Sequence, residues 1–376
     1  MFLLFLSEFV RASLLVSLVP ALVMTKFGLP LDVAAAAISA HYLTDTLGRS
    51  PSGWLVDRLG SGSVLAGGLS VAAFALLLIA TARPSSPLWV YLGLYGVGTS
   101  PLWPSVITTT TGGIDEGRGR IIGGIFALWL LAIGLGPMVM NWVLPDHVRE
   151  GLVAMLVVQV LAVLAARALP DRKSRPEARA RPPRLLSRIA EIKVLFPGMF
   201  AQAMTVGILL PVINTFLRHT LGLTGVRYGE LLLVGGGLAV LLMVPIGRLA
   251  DRAGVRAPLV LGFVSAGVGI LALGAVREFV WAILLAGFIG VAYALILPAW
   301  NALLASTVDR RAAGSLWGVF MTVEGAGLAL GPLVGARAWD LVRPIGPFLV
   351  SGMILLAMSL FYALYPIERL QAERVR

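Results

Sequence analysis

The chain has 376 residues, of which 58% are hydrophobic and 13% are charged, and its mean hydropathy is +0.90. A soluble domain carries about a quarter charged residues, so this composition excludes an ordinary globular protein and predicts a polytopic membrane protein. The net charge of +11 is then interpreted as a signal of membrane topology.

Twelve apolar runs follow one another along the chain, and each is long enough to cross a hydrocarbon core of roughly 30 Å as a helix. The first run is too long for a signal-peptide core, and we interpret it as a retained helix. The sequence therefore predicts an all-α fold with twelve transmembrane helices. The predicted spans are 2–25, 32–54, 63–82, 88–112, 120–144, 150–168, 196–219, 226–248, 257–276, 280–306, 313–337 and 346–365.

Basic residues orient these spans. If the first helix begins in the cytoplasm, the cytoplasmic segments hold most of the 30 Lys and Arg residues, which predicts that both termini are cytoplasmic. Residues 167–193 alone contain nine basic and three acidic residues. We interpret this stretch as a solvated connector that contacts anionic lipid headgroups, and we expect no nucleic-acid binding. The predicted domains are an N-terminal bundle at 1–168, a basic linker at 169–195 and a C-terminal bundle at 196–376.

One charged phrase occurs twice, as GWLVDRLG at 53–60 and as GRLADRAG at 247–254, 194 residues later. The same spacing, within one residue, relates three further pairs: Pro104 and Pro298, Asp115 and Asp309, and Gly136 and Gly331. These matches indicate two homologous halves of six helices. Because six is even, both halves enter the membrane in the same direction and form parallel repeats.

The duplicated phrase and the Gly-Pro pairs of the fifth and eleventh predicted helices resemble the major facilitator superfamily over essentially the whole chain. The resemblance implies two six-helix bundles that rock about a cavity lined mainly by the first, fourth, seventh and tenth helices. It also implies that Gly134, Gly136 and Gly331 allow close helix packing. A cytoplasmic latch, closed in only one conformation, is expected at the two loops; its residues are Gly53, Asp57, Arg58, Gly247, Asp251 and Arg252.

Ionisable residues at membrane depth are costly and are therefore candidates for function. Glu8 and Arg11 share a helix face, and so do His41 and Asp45. Asp45 precedes the duplicated phrase by about 18 Å of helix, which predicts a position near mid-membrane. A carboxylate near an Arg can change its proton affinity when that partner moves, as proton coupling requires. A static Glu8–Arg11 bridge and a packing role for His41 are the alternatives.

The C-terminal half is less charged. Glu324 is its clearest deep charge, either as a second proton site or as a protonated, hydrogen-bonded residue. The neutral candidates near it are Gln202, Asn214, Tyr293, Trp300 and Asn301. Ionic groups on one side of a cavity and an apolar wall on the other suit an amphiphile, such as a polar headgroup attached to hydrocarbon.

Two tryptophans, Trp103 and Trp129, fall inside predicted spans, where indoles can stack on sugars or drug-like rings or simply pack. With Glu8, Arg11 and Asp45, they resemble the headgroup pocket of proton-coupled flippases for lipoteichoic-acid anchor glycolipids. In that family such residues handle a disaccharide headgroup and a proton, while the acyl chains rest against the C-terminal half. The family's further headgroup contacts have no identifiable counterparts in this sequence.

The leading hypothesis is a proton-coupled transporter that exports or flips an amphiphile, with a glycolipid as the specific candidate. The alternatives are a multidrug–proton antiporter and a sugar or organic-anion carrier that uses Arg11 as a clamp. The chain has no cysteine, only three histidines and no phosphate-binding loop, so we expect no metal, no cofactor and no enzymatic activity. We expect a monomer in the cytoplasmic membrane of a prokaryote, with protons, membrane lipids and the substrate as its partners.

Overall fold

A computed structural model describes residues 1–111, 118–144, 146–169, 171, 193–307 and 313–365, and these residues form helices and short connections. The chain divides into two compact units. The first comprises Met1–Arg181 and Ile213–Thr215, and the second comprises Pro182–Val212 and Phe216–Arg376. Most of the predicted linker at 169–195, and the repeat pair Asp115 and Asp309, lie outside the described residues.

The helices of the first unit follow the first six predicted spans. Helix α1 continues into two π-helical segments, Ser13–Leu18 and Ala21–Lys26. The helices are α1 (Phe2–Ala12), α2 (Leu31–Leu59), α3 (Ser61–Ala80), α4 (Leu88–Thr99), α5 (Leu102–Thr111), α6 (Arg118–Val143) and α7 (Val148–Arg167).

The helices of the second unit follow the last six predicted spans, except that the last three residues of α8, Ile213–Thr215, belong to the first unit. Helix α8 is preceded by a 3₁₀ turn, Lys193–Leu195, and ends in a π-helical segment, Phe216–Thr220. The helices are α8 (Phe196–Thr215), α9 (Gly225–Ala253), α10 (Arg256–Ala275), α11 (Phe279–Thr307), α12 (Ala313–Leu341) and α13 (Gly346–Leu364).

Within the described residues, nine helical segments are long and apolar enough to cross a membrane. The predicted spans 32–54, 88–112 and 120–144 are not among these nine. The helix covering 32–54 carries charged residues, the span 88–112 is divided between two helices, and the apolar part of α6 is only Ala127–Val143. The all-helical prediction is confirmed, whereas the number of twelve membrane crossings stays a prediction.

The duplicated phrase was predicted to be a loop, and this is wrong. Residues 53–59 are the last turns of α2, and 247–253 are the last turns of α9. The chain turns only at Gly60 and Gly254, whose φ angles of 100° and 80° lie in the region that favours glycine. Helical hydrogen bonding continues past the apolar run because polar side chains at a helix end can remain in water.

The charged side chains of the duplicated phrase are described in its first copy and not in its second. Asp57 and Arg58 are exposed, and the Arg58 guanidinium lies 4.0 Å from the centre of the Trp54 ring. A Cβ added at Gly53 would meet no atom within 4 Å in the part of the chain that the structure describes. The side chains of Asp251 and Arg252 lie outside the described part of the chain.

The fourth predicted span is two helices, which meet at Ser100 and Pro101. Proline has no N–H to donate to the carbonyl four residues earlier, here that of Val97. The Ser100 hydroxyl donates to this carbonyl instead, at 2.9 Å. Proline chemistry therefore explains a helix break that the hydropathy pattern did not indicate.

Helix packing repeats between the two units. In the first unit α2 packs on α4, α3 on α4, and α3 on α7; in the second, α9 packs on α11, α10 on α11, and α10 on α13. A Cβ at Gly96 of α4 would overlap the carbonyl of His41, and a Cβ at Gly290 would overlap the carbonyl of Gly235. Both residues of the second pair lie 194 positions after those of the first. Each unit therefore packs these helices in the same register.

Two of the three glycines expected to allow close packing lie at a close helix contact. A Cβ at Gly136 would lie 2.5 Å from the carbonyl of Phe9, and one at Gly331 would lie 2.6 Å from the Cα of Gly207. These two glycines bring α6 against α1 and α12 against α8. A Cβ at Gly134 would meet no atom within 4 Å among the described residues, so the expectation is wrong for this residue.

The N-terminus of α3 is capped from a distant part of the chain. Asp171, just after α7, accepts hydrogen bonds from the Ser63 backbone N–H and from the Ser63 hydroxyl, both at 2.8 Å. A Cβ at Gly62 would lie 2.6 Å from the carbonyl of Leu169. These contacts join the segment after α7 to the start of α3, next to the turn that follows the duplicated phrase.

Candidate functional site

The first acid–base pair of the candidate site lies on α1. Glu8 and Arg11 are three residues apart on one helix face, and Arg11 Nη2 donates to Glu8 Oε2 at 2.5 Å. The Glu8 side chain is 0% exposed. Its second oxygen, Oε1, has no hydrogen-bond partner among the described residues. One oxygen of this carboxylate is therefore held by an ion pair, and the other remains available for a proton or a donor.

The second pair lies on α2. Asp45, whose side chain is 2% exposed, accepts a hydrogen bond from Arg49 Nη2 at 2.7 Å. The sequence pattern predicts Asp45 as a site residue but does not predict Arg49. The signal was present, because residues four apart on a helix lie on one face. The same rule that linked Glu8 to Arg11 also links Asp45 to Arg49.

Helix α4 supports Asp45 from the other side. Thr44 donates to the carbonyl of Gly93 at 2.7 Å, and Ser52 and Ser100 share a hydrogen bond of 2.9 Å. These contacts, together with the close approach at Gly96, hold α2 against α4. Between these two helices, the Thr99 hydroxyl lies 3.4 Å from Asp45 Oδ1. This contact is long because the hydroxyl has nearer acceptors in its own helix.

His41 is fully buried beside these pairs. Its ring centre is 5.0 Å from that of Tyr42 and 5.4 Å from that of Tyr95. Neither ring nitrogen makes a well-aligned hydrogen bond within the described residues. The surroundings agree with the packing role considered for His41, and its role in substrate binding stays a prediction.

The two candidate tryptophans touch each other. Their ring centres are 6.2 Å apart in an edge-to-face arrangement. Trp103 is buried in an apolar cluster formed by α1, α3, α5, α6 and α7, and Trp129 is half-buried against that cluster. The two rings pack among apolar side chains, and their contact with a headgroup stays a prediction.

The second unit does not repeat the ionic pairs. At a spacing of 194 residues, Glu8 corresponds to Gln202, Asp45 to Ala239 and Arg49 to Met243. Glu324 is half-buried on α12, and Asn301 is exposed on α11. The duplicated fold therefore carries its two described buried acid–base pairs in one unit.

A sequence model of the Major Facilitator Superfamily matches residues 1–197 and again 195–376. Proteins named "Proton-coupled antiporter flippase LtaA" are similar over nearly the full length. The protein from Staphylococcus saprophyticus is 28% identical, and the alignment covers 96% of this chain and 92% of the relative. The protein from Staphylococcus aureus is 26% identical with the same coverage.

A solved structure supports the fold independently. The crystal structure of the nucleoside transporter NupG is similar with a TM-score of 0.77 and 14% sequence identity, over 98% of this chain and 97% of that chain. At this identity the likeness concerns the fold alone.

Proposed function

Because the chain belongs to the major facilitator superfamily, we propose that it is a proton-coupled antiporter that flips an amphiphile by alternating access. The specific candidate is a glycolipid with a sugar headgroup. The observation that carries the proposal is the pair of buried carboxylates, Glu8 and Asp45, each bonded to an Arg of its own helix. The names of relatives that align over 96% of the chain support it.

Proton coupling follows from how these carboxylates are held. Each has one oxygen paired with a guanidinium, while Glu8 Oε1 lacks a partner among the described residues and Asp45 Oδ1 receives only the long Thr99 contact. Loss of an ion pair in a buried site leaves a costly charge that protonation removes. A rocking motion that disturbs either pair would then load or release a proton.

The charge balance favours a neutral headgroup over a cationic drug. Two carboxylates and two guanidinium groups sum to zero, so the described cluster offers no excess negative charge to a cation. Sugar hydroxyls both donate and accept hydrogen bonds, and they can use the unpaired carboxylate oxygen. A multidrug antiporter is therefore the weaker candidate, and an organic-anion carrier would have to displace a carboxylate from Arg11.

The remaining predicted roles belong to this proposal. We assign proton coupling to Glu8, Arg11 and Asp45 with Glu324 as a second site, and headgroup contact to Arg11, Asp45, Trp103, Trp129, His41 and Asn301. The conformational latch consists of Gly53, Asp57 and Arg58 with Gly247, Asp251 and Arg252. It acts from the ends of α2 and α9.

The proposal also includes the topology. The chain crosses the inner membrane of a prokaryote twelve times as a monomer, with both termini and the linker at 169–195 in the cytoplasm. The bundles correspond to 1–168 and 196–376. The nine apolar helices and the basic linker sequence support this arrangement.

The test is lipid movement in vesicles. Reconstituted protein should move a fluorescent glycolipid between leaflets faster when a pH gradient is imposed. Asp45→Asn should reduce this rate to the level measured without a gradient, because the variant cannot exchange a proton at this position. The matched control is Asp340→Asn, which removes an Asp whose ion pair with Arg343 spans three residues on an exposed helix end.

Two results would contradict parts of the proposal. Export of ethidium-like cations without lipid movement would contradict the flippase function. Transport with an unchanged pH response in both Glu8→Gln and Asp45→Asn would show that the proton assignment is wrong.

A further inference from the structure

Arg49 stands out among the buried charges because neither the duplicated phrase nor the superfamily resemblance accounts for it. Its side chain is 20% exposed and donates to Asp45 through Nη2. Its Nε atom is buried and has no hydrogen-bond partner among the described residues. The guanidinium is therefore anchored at one point and retains a free donor, so that its contact with Asp45 can be exchanged for another.

Among the described residues, Asp45 has no second ion partner as close as Arg49. The contact from Thr99 to Oδ1 is 3.4 Å, whereas Arg49 lies at 2.7 Å from Oδ2. Arg11 is committed to Glu8 at 2.5 Å. The charge of Asp45 is therefore stabilised chiefly by Arg49.

The helix is weakened in the turn that carries Arg49. Pro51 lies inside α2, and it cannot donate to the carbonyl of Leu47 four residues earlier. On either side of this turn, α2 is held by hydrogen bonds from Thr44 to Gly93 and between Ser52 and Ser100. The turn lies between Asp45 and the duplicated phrase at 53–60. A bend at Pro51 would therefore change the position of Arg49 relative to Asp45.

The surroundings of Asp45 contain several other groups that bear on its charge. Helices α3 and α5, which also pack on α2, carry no titratable side chain. The groups that interact electrostatically with Asp45 are His41, Tyr42 and Arg49 on α2, Tyr95 on α4, and Glu8 and Arg11 on α1. Helix α2 also carries Asp32, Asp57 and Arg58, α4 also carries Tyr91, and the exposed Lys26 ends the π-helical segment that packs on α2.

We propose that Arg49 is a positioning residue that sets when Asp45 binds and releases its proton, through an ion pair that a bend of α2 at Pro51 makes and breaks. This inference rests on the proposed proton coupling and adds a residue to it. Arg49 acts through Asp45 and contacts no substrate in this role.

The test measures protonation of Asp45 directly. Infrared difference spectra of the purified protein are recorded over a pH titration, and the carboxyl band that disappears in Asp45→Asn is assigned to Asp45. In Arg49→Gln the midpoint of this band should move upward by about one pH unit or more, because an opposite charge within ion-pair distance shifts a carboxyl by that amount. Arg49→Lys should return the midpoint toward that of the unmodified protein.

The controls separate this inference from folding and from the proposed function. Arg343→Gln removes the cation of an exposed pair with the same 2.7 Å separation and should leave the midpoint unchanged. If Arg49→Gln does not fold, Arg49→Met replaces it, because methionine matches the apolar stem of arginine.

The outcomes are distinct. An unchanged Asp45 midpoint in Arg49→Gln or Arg49→Met, or an Asp45 band that never titrates, overturns the role of Arg49. If vesicles still show gradient-driven lipid movement in that case, the proposed function stands without it. A shifted midpoint in a protein that moves no lipid supports the role of Arg49 and overturns the flippase.

Discussion

Gly96 shows how a residue without a side chain positions the charged ones. It lies on α4 where a Cβ would overlap the His41 carbonyl and the Thr44 hydroxyl, and would lie 3.1 Å from the backbone nitrogen of Asp45. Because two of these atoms are backbone, the neighbouring helix cannot yield by changing a rotamer. Glycine at this position therefore fixes how closely α4 approaches the Asp45 pair.

We expect Gly96→Ala to lower the stability by about 1–3 kcal/mol, the usual cost of overpacking, and to slow proton-driven transport. Thermal unfolding in detergent and the vesicle assay measure these effects. Gly67→Ala is the control, since Gly67 on α3 has no atom within 4 Å of an added Cβ. Equal melting temperatures for the two variants would show that the α2–α4 contact does not have this role.

Part of this site was predictable from the sequence alone. Helical spacing linked Glu8 to Arg11, and it would also have linked Asp45 to Arg49 if applied to every charge inside a span. The contributions of Thr99 and Gly96 were not predictable in this way. They depend on the register between α2 and α4, in which contacting residues such as Asp45 and Thr99 are 54 positions apart in sequence and are aligned only by tertiary packing.

At the scale of elements, the start of α3 depends on Asp171. A helix N-terminus leaves backbone N–H groups unsatisfied, and Asp171 accepts one of them from Ser63. Asp171→Ala should therefore cost about 1 kcal/mol, equivalent to a roughly fivefold rise in local amide exchange.

Hydrogen exchange of residues 61–64 measures this effect. Asp146→Ala is the control, because Asp146 is exposed in the connection before α7. Unaltered exchange at 61–64 in Asp171→Ala would mean that the cap does not stabilise α3.

Hydropathy located the elements better than it located their ends. The apolar run of α2 ends near residue 54, but the helix continues to Leu59 until Gly60 turns the chain. The break between α4 and α5 lies inside an apolar run and has its cause in Pro101. Hydropathy indicates whether a segment lies in lipid or in water, whereas hydrogen bonding and backbone angles determine where a helix stops.

At the scale of the whole molecule, the absence of cysteine makes the topology directly testable. Ser85 is exposed between α3 and α4, on the predicted external side, and Leu59 is exposed at the end of α2, on the predicted cytoplasmic side. A membrane-impermeant thiol reagent applied to intact cells should label Ser85→Cys and spare Leu59→Cys until the cells are opened. The cysteine-free parent is the control for background labelling, and the opposite pattern would reverse the predicted orientation.

The two described acid–base pairs have an electrical consequence for a protein that works across a membrane. Their four charges cancel, so the empty cluster carries no net charge through the transmembrane voltage. One bound proton gives it a single positive charge, worth about 2.3 kcal/mol for every 100 mV that it crosses. We therefore expect a voltage that is negative inside to drive the proton-loaded step inward, while the step that carries an uncharged headgroup is insensitive to voltage.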